Sequence, residues 1–427
     1  MSAVGTSVHV SRELREICGA KNIVDDPALL HTKTISGVTP AVAVTPASPE
    51  EVAAVLRLAN ERGLSVVPAG GFTRQQAGNV PGGIDVLLDT SALRGVEHYD
   101  AADLTIGLGA GWSVAQLSDK VAQDGLLFAG DAALPHRATV GGLLATGLAG
   151  PLRHGYGGLR DYCIGIRFVT GDGRKGKGGG RVVKNVAGFD LMKLLIGSWG
   201  TLAVITGASF KLFPAPRQTK TFVARFADAA EAIGFRDHVL RSPLSPISLE
   251  LVSPSALESN DTAWCVYLRA AGSDAVLARY RSELGAAIST EIEGGQESAV
   301  WRRVADFACD APVQSTVISL SLPLTELLPA LNQIASMCES VGMTFAAIGR
   351  IGVGHLAVSL SPRVGSAPDF ATALSTFRDQ LSRDTSMSVL SGGHADLWRS
   401  PTHSESMGAV KHALDPKGIL NPGRFRF

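Results

Sequence analysis

The chain has 427 residues, 45% of them hydrophobic and 18% charged, which is enough for two globular lobes with cores of their own. Thirty-nine Lys and Arg residues balance 39 Asp and Glu, so there is no electrostatic footprint for nucleic acid or another polyanion. Five cysteines, Cys18, Cys163, Cys265, Cys309 and Cys338, stand far apart without a C-x-x-C pair, which argues against an iron–sulfur cluster or structural zinc held by this chain alone and reads as buried, reduced thiols. Residues 1–20 carry no sustained apolar stretch, and no run approaches the roughly 18 to 20 apolar residues that span a bilayer. The expectation is a cytoplasmic chain whose membrane contact, if any, is peripheral.

After an N-terminal extension to about residue 35, the first readable unit is β-α-β. A strand over 41–44 leads to a helix over 49–63 with Ser48 as N-cap, Pro49, Glu50 and Glu51 in its first turn and Gly63 at its end. A strand over 64–67 follows and runs straight into Pro68-Ala69-Gly70-Gly71-Phe72-Thr73-Arg74-Gln75-Gln76-Ala77-Gly78. Further strands are predicted over 86–88, 105–108, 164–169 and 202–205, with helices over 113–124 and 191–196. Two more small-residue segments punctuate this half, Ala138-Thr139-Val140-Gly141-Gly142-Leu143-Leu144-Ala145-Thr146-Gly147-Leu148-Ala149-Gly150 and Gly197-Ser198-Trp199-Gly200-Thr201-Leu202-Ala203-Val204-Ile205-Thr206. Glycine lets backbone N–H groups approach a ligand closely, and successive N–H groups form a nest for anionic oxygens, so the three segments read as the lining of a site for a large dinucleotide. A nicotinamide-type fingerprint is excluded: its nearest match, Gly107-Leu108-Gly109-Ala110-Gly111, fails at the third glycine. Gly171-Asp172-Gly173-Arg174-Lys175-Gly176-Lys177 lacks the spacing and the final Ser or Thr of a Walker A loop.

After Pro214 and Pro216 the texture changes. Strands over 219–226, 263–268, 315–320 and 344–348 alternate with helices over 228–240, 273–284 and 322–341, a pattern that predicts a sheet with helices on one face. The fold class expected is α+β: a first lobe over 1–216, a second over 217–391, and a segment over 392–427 that returns to the first.

The order of the three glycine segments, together with Lys184-Asn185-Val186-Ala187-Gly188-Phe189-Asp190-Leu191, Arg160-Asp161 before Ile164-Gly165, and Leu414-Asp415-Pro416-Lys417-Gly418-Ile419-Leu420-Asn421-Pro422-Gly423-Arg424, resembles the FAD-linked oxidases of the vanillyl-alcohol oxidase type. The Lys-Asn-Val-Ala-Gly stretch is most similar to the FAD-binding E-subunit type of bacterial glycolate oxidases. The resemblance implies a two-lobed FAD-binding PCMH-type domain, an α+β cap that covers the flavin's reactive edge, and two-electron transfer between a small 2-hydroxy acid and FAD. It assigns cofactor contacts to Ala69, Gly70, Gly71, Phe72, Thr73 and Arg74, with Gly78 closing the loop, then to Thr139, Gly141, Gly142, Ala145, Gly147, Gly200 and Ile205. Lys184 is placed near a flavin phosphate or at a subunit contact, whereas Arg174, Lys175, Lys177 and Arg181 read as a solvated basic loop. No histidine lies between residues 64 and 81, so FAD is expected to be non-covalent. Phe72 stands where relatives have a small residue, and its ring would either stack near the cofactor or force the loop to shift.

Catalytic relatives carry a metal-binding stretch similar to Gly-His-x-Gly-Asp-Gly-Asn-Leu-His. Here the comparable residues are Gly349-Arg350-Ile351-Gly352-Val353-Gly354-His355-Leu356-Ala357, with Arg350 and Ala357 in place of both histidines and His355 in place of the asparagine. The expected catalytic candidates are therefore His394, which follows a glycine pair, Arg350, which can clamp a carboxylate, and His355; no metal ligand set is expected. Absence of the histidine motif favours one flavin subunit of a glycolate oxidase-like complex, working with a sister flavin subunit and an iron–sulfur subunit. A stand-alone flavin oxidoreductase and a flavin scaffold that never turns over are the alternatives.

Overall fold

The computed structural model describes residues 3–181, 190–257, 262–363, 369–392 and 404–425. They form two units, the first made of 1–148, 158–214 and 400–427, the second of 149–157 and 215–399.

In the first unit the helix Pro49–Arg62 forms where the sequence places it. Ser48 Oγ accepts the Glu51 N–H at 3.1 Å, and Gly63 closes the helix at φ 67° in the left-handed region. Val52, Ala53, Val55, Leu56 and Ala59 make its buried face. Strands β1 (Ile23–Val24), β2 (Val42–Val44), β3 (Val66–Ala69) and β4 (Val86–Asp89) form a sheet in the order β1-β2-β4-β3, and β3 runs parallel to β4 from Val66 opposite Val86 to Ala69 opposite Asp89. Strands β5 (Val96–Asp100), β6 (Thr105–Gly109), β8 (Cys163–Thr170), β9 (Lys175–Gly179) and β10 (Ala203–Lys211) form an antiparallel sheet in the order β5-β6-β10-β8-β9, while β7 (Leu126–Leu127) and β11 (Phe213–Pro214) make a short ribbon. Gly109 and Gly111 serve packing here: a Cβ on either would strike a carbonyl oxygen of the turn over residues 90–93.

The C-terminal segment completes this unit. Val66 N–H donates to Ile419 O at 2.8 Å, and Asn421 N–H donates back to Val66 O at 2.9 Å, so the segment extends the free edge of β3. Buried Asp415 holds the turn, accepting from Lys411 Nζ at 2.6 Å and from the Ile419 and Leu420 N–H groups at 3.0 and 2.8 Å.

The second unit is one antiparallel sheet of β12 (Thr219–Phe226), β13 (Ser248–Val252), β14 (Trp264–Ala271), β15 (Ile288–Ile292), β16 (Thr316–Ser321), β17 (Met343–Arg350), β18 (His355–Pro362) and β19 (Ser386–Ser391), in the order β15-β12-β14-β13-β17-β18-β16-β19. Helices Ala229–Arg241, Asp274–Leu284, Leu327–Ser340 and Phe370–Gln380 bury one face through Phe222, Leu249, Leu268, Leu320 and Leu360. The expectation of helices on one face only is corrected. Helix Gly294–Asp306 packs Trp301 and Val304 on the opposite face, against Val223, Val252, Cys265, Ile348 and Ala357. The strands are apolar on both faces at these positions, so a second layer is required. Residues 149–157, placed by the sequence reading in the first lobe, group with this unit, and Gly155 N–H donates to Ile247 O at 3.1 Å.

Candidate functional site

In the first unit the glycine segments converge on one cleft. Its lining includes Ala69 to Arg74 at the end of β3, then Thr139, Gly141, Gly142 and Ala145 at the start of helix Val140–Thr146, then Gly200 and Ile205. The backbone N–H groups of Gly70, Gly71, Phe72 and Thr73 have no hydrogen-bond partner among the described residues, which leaves four consecutive donors for an anionic group. The two glycine pairs differ in what they do. A Cβ on Gly70 would meet Thr139 Oγ1 and one on Gly71 the Arg137 carbonyl, so those glycines let two loops touch. A Cβ on Gly142 meets only Thr139 Oγ1, at 3.2 Å, so that position faces the cleft.

Phe72 resolves the question posed by its size. Its backbone takes φ 56°, a conformation uncommon outside glycine, and its ring packs beside the buried cluster of Leu30, Ile35 and Leu87 with Lys33 Nζ 5.4 Å from its centroid. The residue still lines the cleft. Gly78 and Gly147 do not. Gly78, at φ 85°, abuts the Arg424 carbonyl and the Phe425 ring, and Gly147, at φ 67°, caps helix Val140–Thr146 against Gly197, so both are required by backbone packing. Lys184 lies outside the described residues, as does His394. In the neighbouring basic loop exposed Arg174 pairs with half-buried Asp172 at 2.7 Å, and Lys175 pairs with Glu50 at 2.5 Å on the surface.

The C-terminal segment supplies a clasp for the cleft that sequence reasoning did not single out. Arg424 Nη2 donates to Gln75 O at 2.5 Å and Ala77 O at 2.7 Å, and its Nη1 to Gln75 Oε1 at 2.9 Å. Burial pushes the Arg424 guanidinium down to about 10, still protonated at neutral pH. Asn421 Nδ2 donates to the carbonyls of Trp199 and Gly200 at 2.9 and 3.3 Å, and the rings of Trp199 and Phe425 stack at 5.4 Å. One short segment therefore fixes the first and third glycine loops together. The signal available in sequence was the run Asn421-Pro422-Gly423-Arg424 itself.

The second unit carries a separate polar cluster on the face of its sheet not buried by the four helices. Arg350, at the end of β17, pairs with buried Glu250 of β13 (Nε to Oε1, 3.4 Å) and places Nη1 3.4 Å from His355 Nδ1 on β18. His355 Nε2 is 3.0 Å from Ser319 Oγ of β16. A guanidinium only donates, so Nδ1 is the acceptor and the ring proton sits on Nε2, directed at Ser319. Burial, then the charges of Arg350 and Arg153, hold the His355 imidazole well below its ordinary value and therefore neutral. Both ring nitrogens are engaged, which makes His355 a positioning group in this arrangement. Beside the cluster, His154 lies over Gly352, where a Cβ would strike its ring. Arg350 Nε, Ser248 Oγ, two residues before Glu250 on β13, and His154 Nδ1 are buried without a hydrogen bond among the described residues. Among the described residues no three His, Cys, Asp or Glu side chains come together as a metal donor set.

A family model of the FAD-binding domain matches residues 40–175, and one of the C-terminal domain of FAD-linked oxidases matches 396–425. The chain carries the FAD-binding fold of the FAD-linked oxidases. It is an FAD-dependent oxidoreductase. The D-lactate dehydrogenase of Archaeoglobus fulgidus is 29% identical over 416 residues, 90% of each chain. The glycolate oxidase subunit GlcE of Escherichia coli is 40% identical over 133 residues, 30% of this chain and 37% of that one. A crystal structure of p-cresol methylhydroxylase shares the fold at a TM-score of 0.78 and 16% identity, over 98% of this chain and 96% of that one. For this flavoprotein the first-unit cleft fits FAD on its own chemistry: four unpaired backbone donors suit the pyrophosphate, and the small side chains of Gly141, Gly142 and Ala145 leave room beside them. No helix among the described residues is long and apolar enough to cross a membrane.

Proposed function

We propose that this flavoprotein oxidises a small 2-hydroxy acid, with FAD held non-covalently in the first-unit cleft, and that it works as one flavin subunit of a glycolate oxidase-like complex. When bound, FAD supplies a two-electron acceptor, while the protein binds, orients and excludes water. Gly70 to Thr73 would receive the pyrophosphate through their free N–H groups. Thr139, Gly141, Gly142 and Ala145 would border it, and Gly200 and Ile205 would flank the remainder of the cofactor. Arg424 and Asn421 would keep those loops in place through the carbonyls they bind. On the second unit Arg350 would receive the acid, oriented by Glu250 and His355.

The observation that carries the complex-subunit reading is the 40% identity, over 133 residues, to a protein named as a glycolate oxidase subunit; separately, Arg350 and Ala357 stand in this chain where the resemblance implies histidines. A sister flavin subunit and an iron–sulfur subunit would then complete the path of electrons. The stand-alone reading is favoured by a different observation, the D-lactate dehydrogenase relative that covers nine-tenths of both chains. Anaerobic titration of the purified FAD-loaded chain with glycolate, D-lactate and other 2-hydroxy acids separates them. Slow or absent bleaching alone and rapid bleaching with co-expressed partners supports the complex. Rapid bleaching alone supports the stand-alone enzyme, and none under either condition leaves only a flavin scaffold.

A further inference from the structure

The four helices that cover one face of the second-unit sheet have unlike outer surfaces. Helix Ala229–Arg241 carries Glu231, Asp237 and Arg241 outside the core, and helix Asp274–Leu284 carries Asp274, Arg279, Arg281 and Glu283, as solvated helix faces do. Helix Leu327–Ser340 has Glu339 as its one charged residue, and in helix Phe370–Gln380 Arg378 pairs with its neighbour Asp379 at 3.0 Å. Between these last two helices lies a groove of about 590 Å³, and none of those three charged residues lines it. Its floor includes half-buried Met337 and buried Phe377. Two rows at i, i+4 and i+8 border it, Asn332, Ser336 and Ser340 on one helix and Thr372, Thr376 and Gln380 on the other, all exposed. Asp369, the one charged residue in the lining, caps the second helix, its Oδ1 accepting the Thr372 N–H at 3.1 Å.

Rows spaced by four residues are the ridges of the commonest helix-on-helix packing, and an apolar floor gains from being covered. Depletion of charge is the mark of an interface core, whereas a groove for an acidic or basic partner would carry the opposite charge. The chemistry of the rows points to one occupant. A twofold contact sets a patch against its own copy, so a charged patch would repel itself. Amide and hydroxyl side chains both donate and accept, which makes rows of Asn, Gln, Ser and Thr complementary to themselves. We propose that a second copy of this chain docks here, the helices Leu327–Ser340 and Phe370–Gln380 of the two copies forming one four-helix layer about a twofold axis.

Sedimentation of the full-length FAD-loaded chain over a dilution series tests the proposal. The mass of two chains is expected when concentrated and that of one when dilute. Raising the salt concentration should not weaken the dimer, as it would a contact built on charge. Ser336→Arg and Thr376→Arg change exposed positions of the fold and bury an unpaired charge in the contact. Each should weaken self-association about tenfold or more, with flavin content unchanged. Met337 gives a readout without mutation. Hydroxyl-radical oxidation of the native chain should modify it less in concentrated than in dilute solution, with Met407, 36% exposed, as the internal reference. A native chain that is monomeric at every concentration overturns the proposal, even if another protein occupies the groove. So does a dimer that persists in the folded Ser336→Arg and Thr376→Arg chains, a native dimer that salt dissociates, or Met337 oxidation that does not change with concentration. If neither variant folds, the methionine readout decides the site. None of these measurements involves a hydroxy acid or flavin reduction, so their outcome is independent of the bleaching experiment.

Discussion

Gly71 and Gly142 look alike in sequence and differ in what surrounds them. The Gly71→Ala methyl would have to occupy the space of the Arg137 carbonyl, a backbone atom that cannot swing aside. That substitution should cost about 3 kcal/mol or more of stability, read as a fall in Cm, with FAD lost as a consequence. Gly142→Ala needs only a small movement of Thr139 Oγ1 and gains helix propensity, so stability should change by less than about 1 kcal/mol while FAD affinity drops tenfold or more. Equal FAD affinity in a folded Gly142→Ala chain would place the cofactor elsewhere. His355 gives a pH signature. Its folded-state value is depressed below the ordinary 6.5, so the unfolded chain takes up the proton first as pH falls, and the stability that neutral His355 contributes is present above 6.5 and lost below it. Denaturation at successive pH values from 7 to 5 should show the native chain losing up to about 1.4 kcal/mol per pH unit more than His355→Gln. His98 and His154 are depressed by burial in the same direction but remain in both chains, so the difference isolates His355.

At the scale of elements, the C-terminal segment matters more to the cleft than its length suggests. It contributes an edge to β3, a buried Asp415 that accepts from Lys411 and two N–H groups, and the Arg424 fork on the first loop. Arg424→Met keeps much of the bulk and removes every donor. It should release the carbonyls of Gln75 and Ala77, cost about 2 kcal/mol, and lower FAD affinity at least tenfold, as measured by fluorescence of released flavin. Truncation after residue 414 should do more and destabilise the first unit as a whole, since it exposes the β3 edge and buried Leu420.

At the scale of the whole molecule, the mode of cofactor attachment is directly testable. Among the described residues that line the first-unit cleft there is no histidine, cysteine or tyrosine to form a bond to the flavin ring. Acid precipitation should therefore leave a colourless pellet and a yellow supernatant, and colour retained in the pellet would show a covalent link through another part of the chain. The cysteines give an independent check. Cys18, Cys163, Cys265 and Cys338 are buried and unbridged, with Cys18 and Cys163 pushed up to about 12 chiefly by burial, so thiol reagents should label the native protein slowly and chiefly at half-buried Cys309.

The amino-acid sequence determined the local elements and the cofactor. The Ser48 cap, Pro49 and Gly63 fix their helix through bonds within a few residues, and the glycine runs after β3 and before Leu143 mark close backbone approach wherever they lie. Such signals are short-range, which is why they are legible without a structure. Strands β13 and β18 were not legible because residues buried on both faces erase the alternation that announces a strand, and β15 and β19 were not because their serines, Thr290 and Glu291 leave too little apolar pattern. Only tertiary structure could show that Gly71 meets a carbonyl from residue 137, that Arg424 reaches back to residue 75, or that Glu250, Ser319, Arg350 and His355 share one patch of sheet. Apart from Arg350 and His355, five residues apart across the β17–β18 turn, those relations join positions tens to hundreds of residues apart. Their chemistry depends on register and burial, and neither is encoded at the position of any one of them.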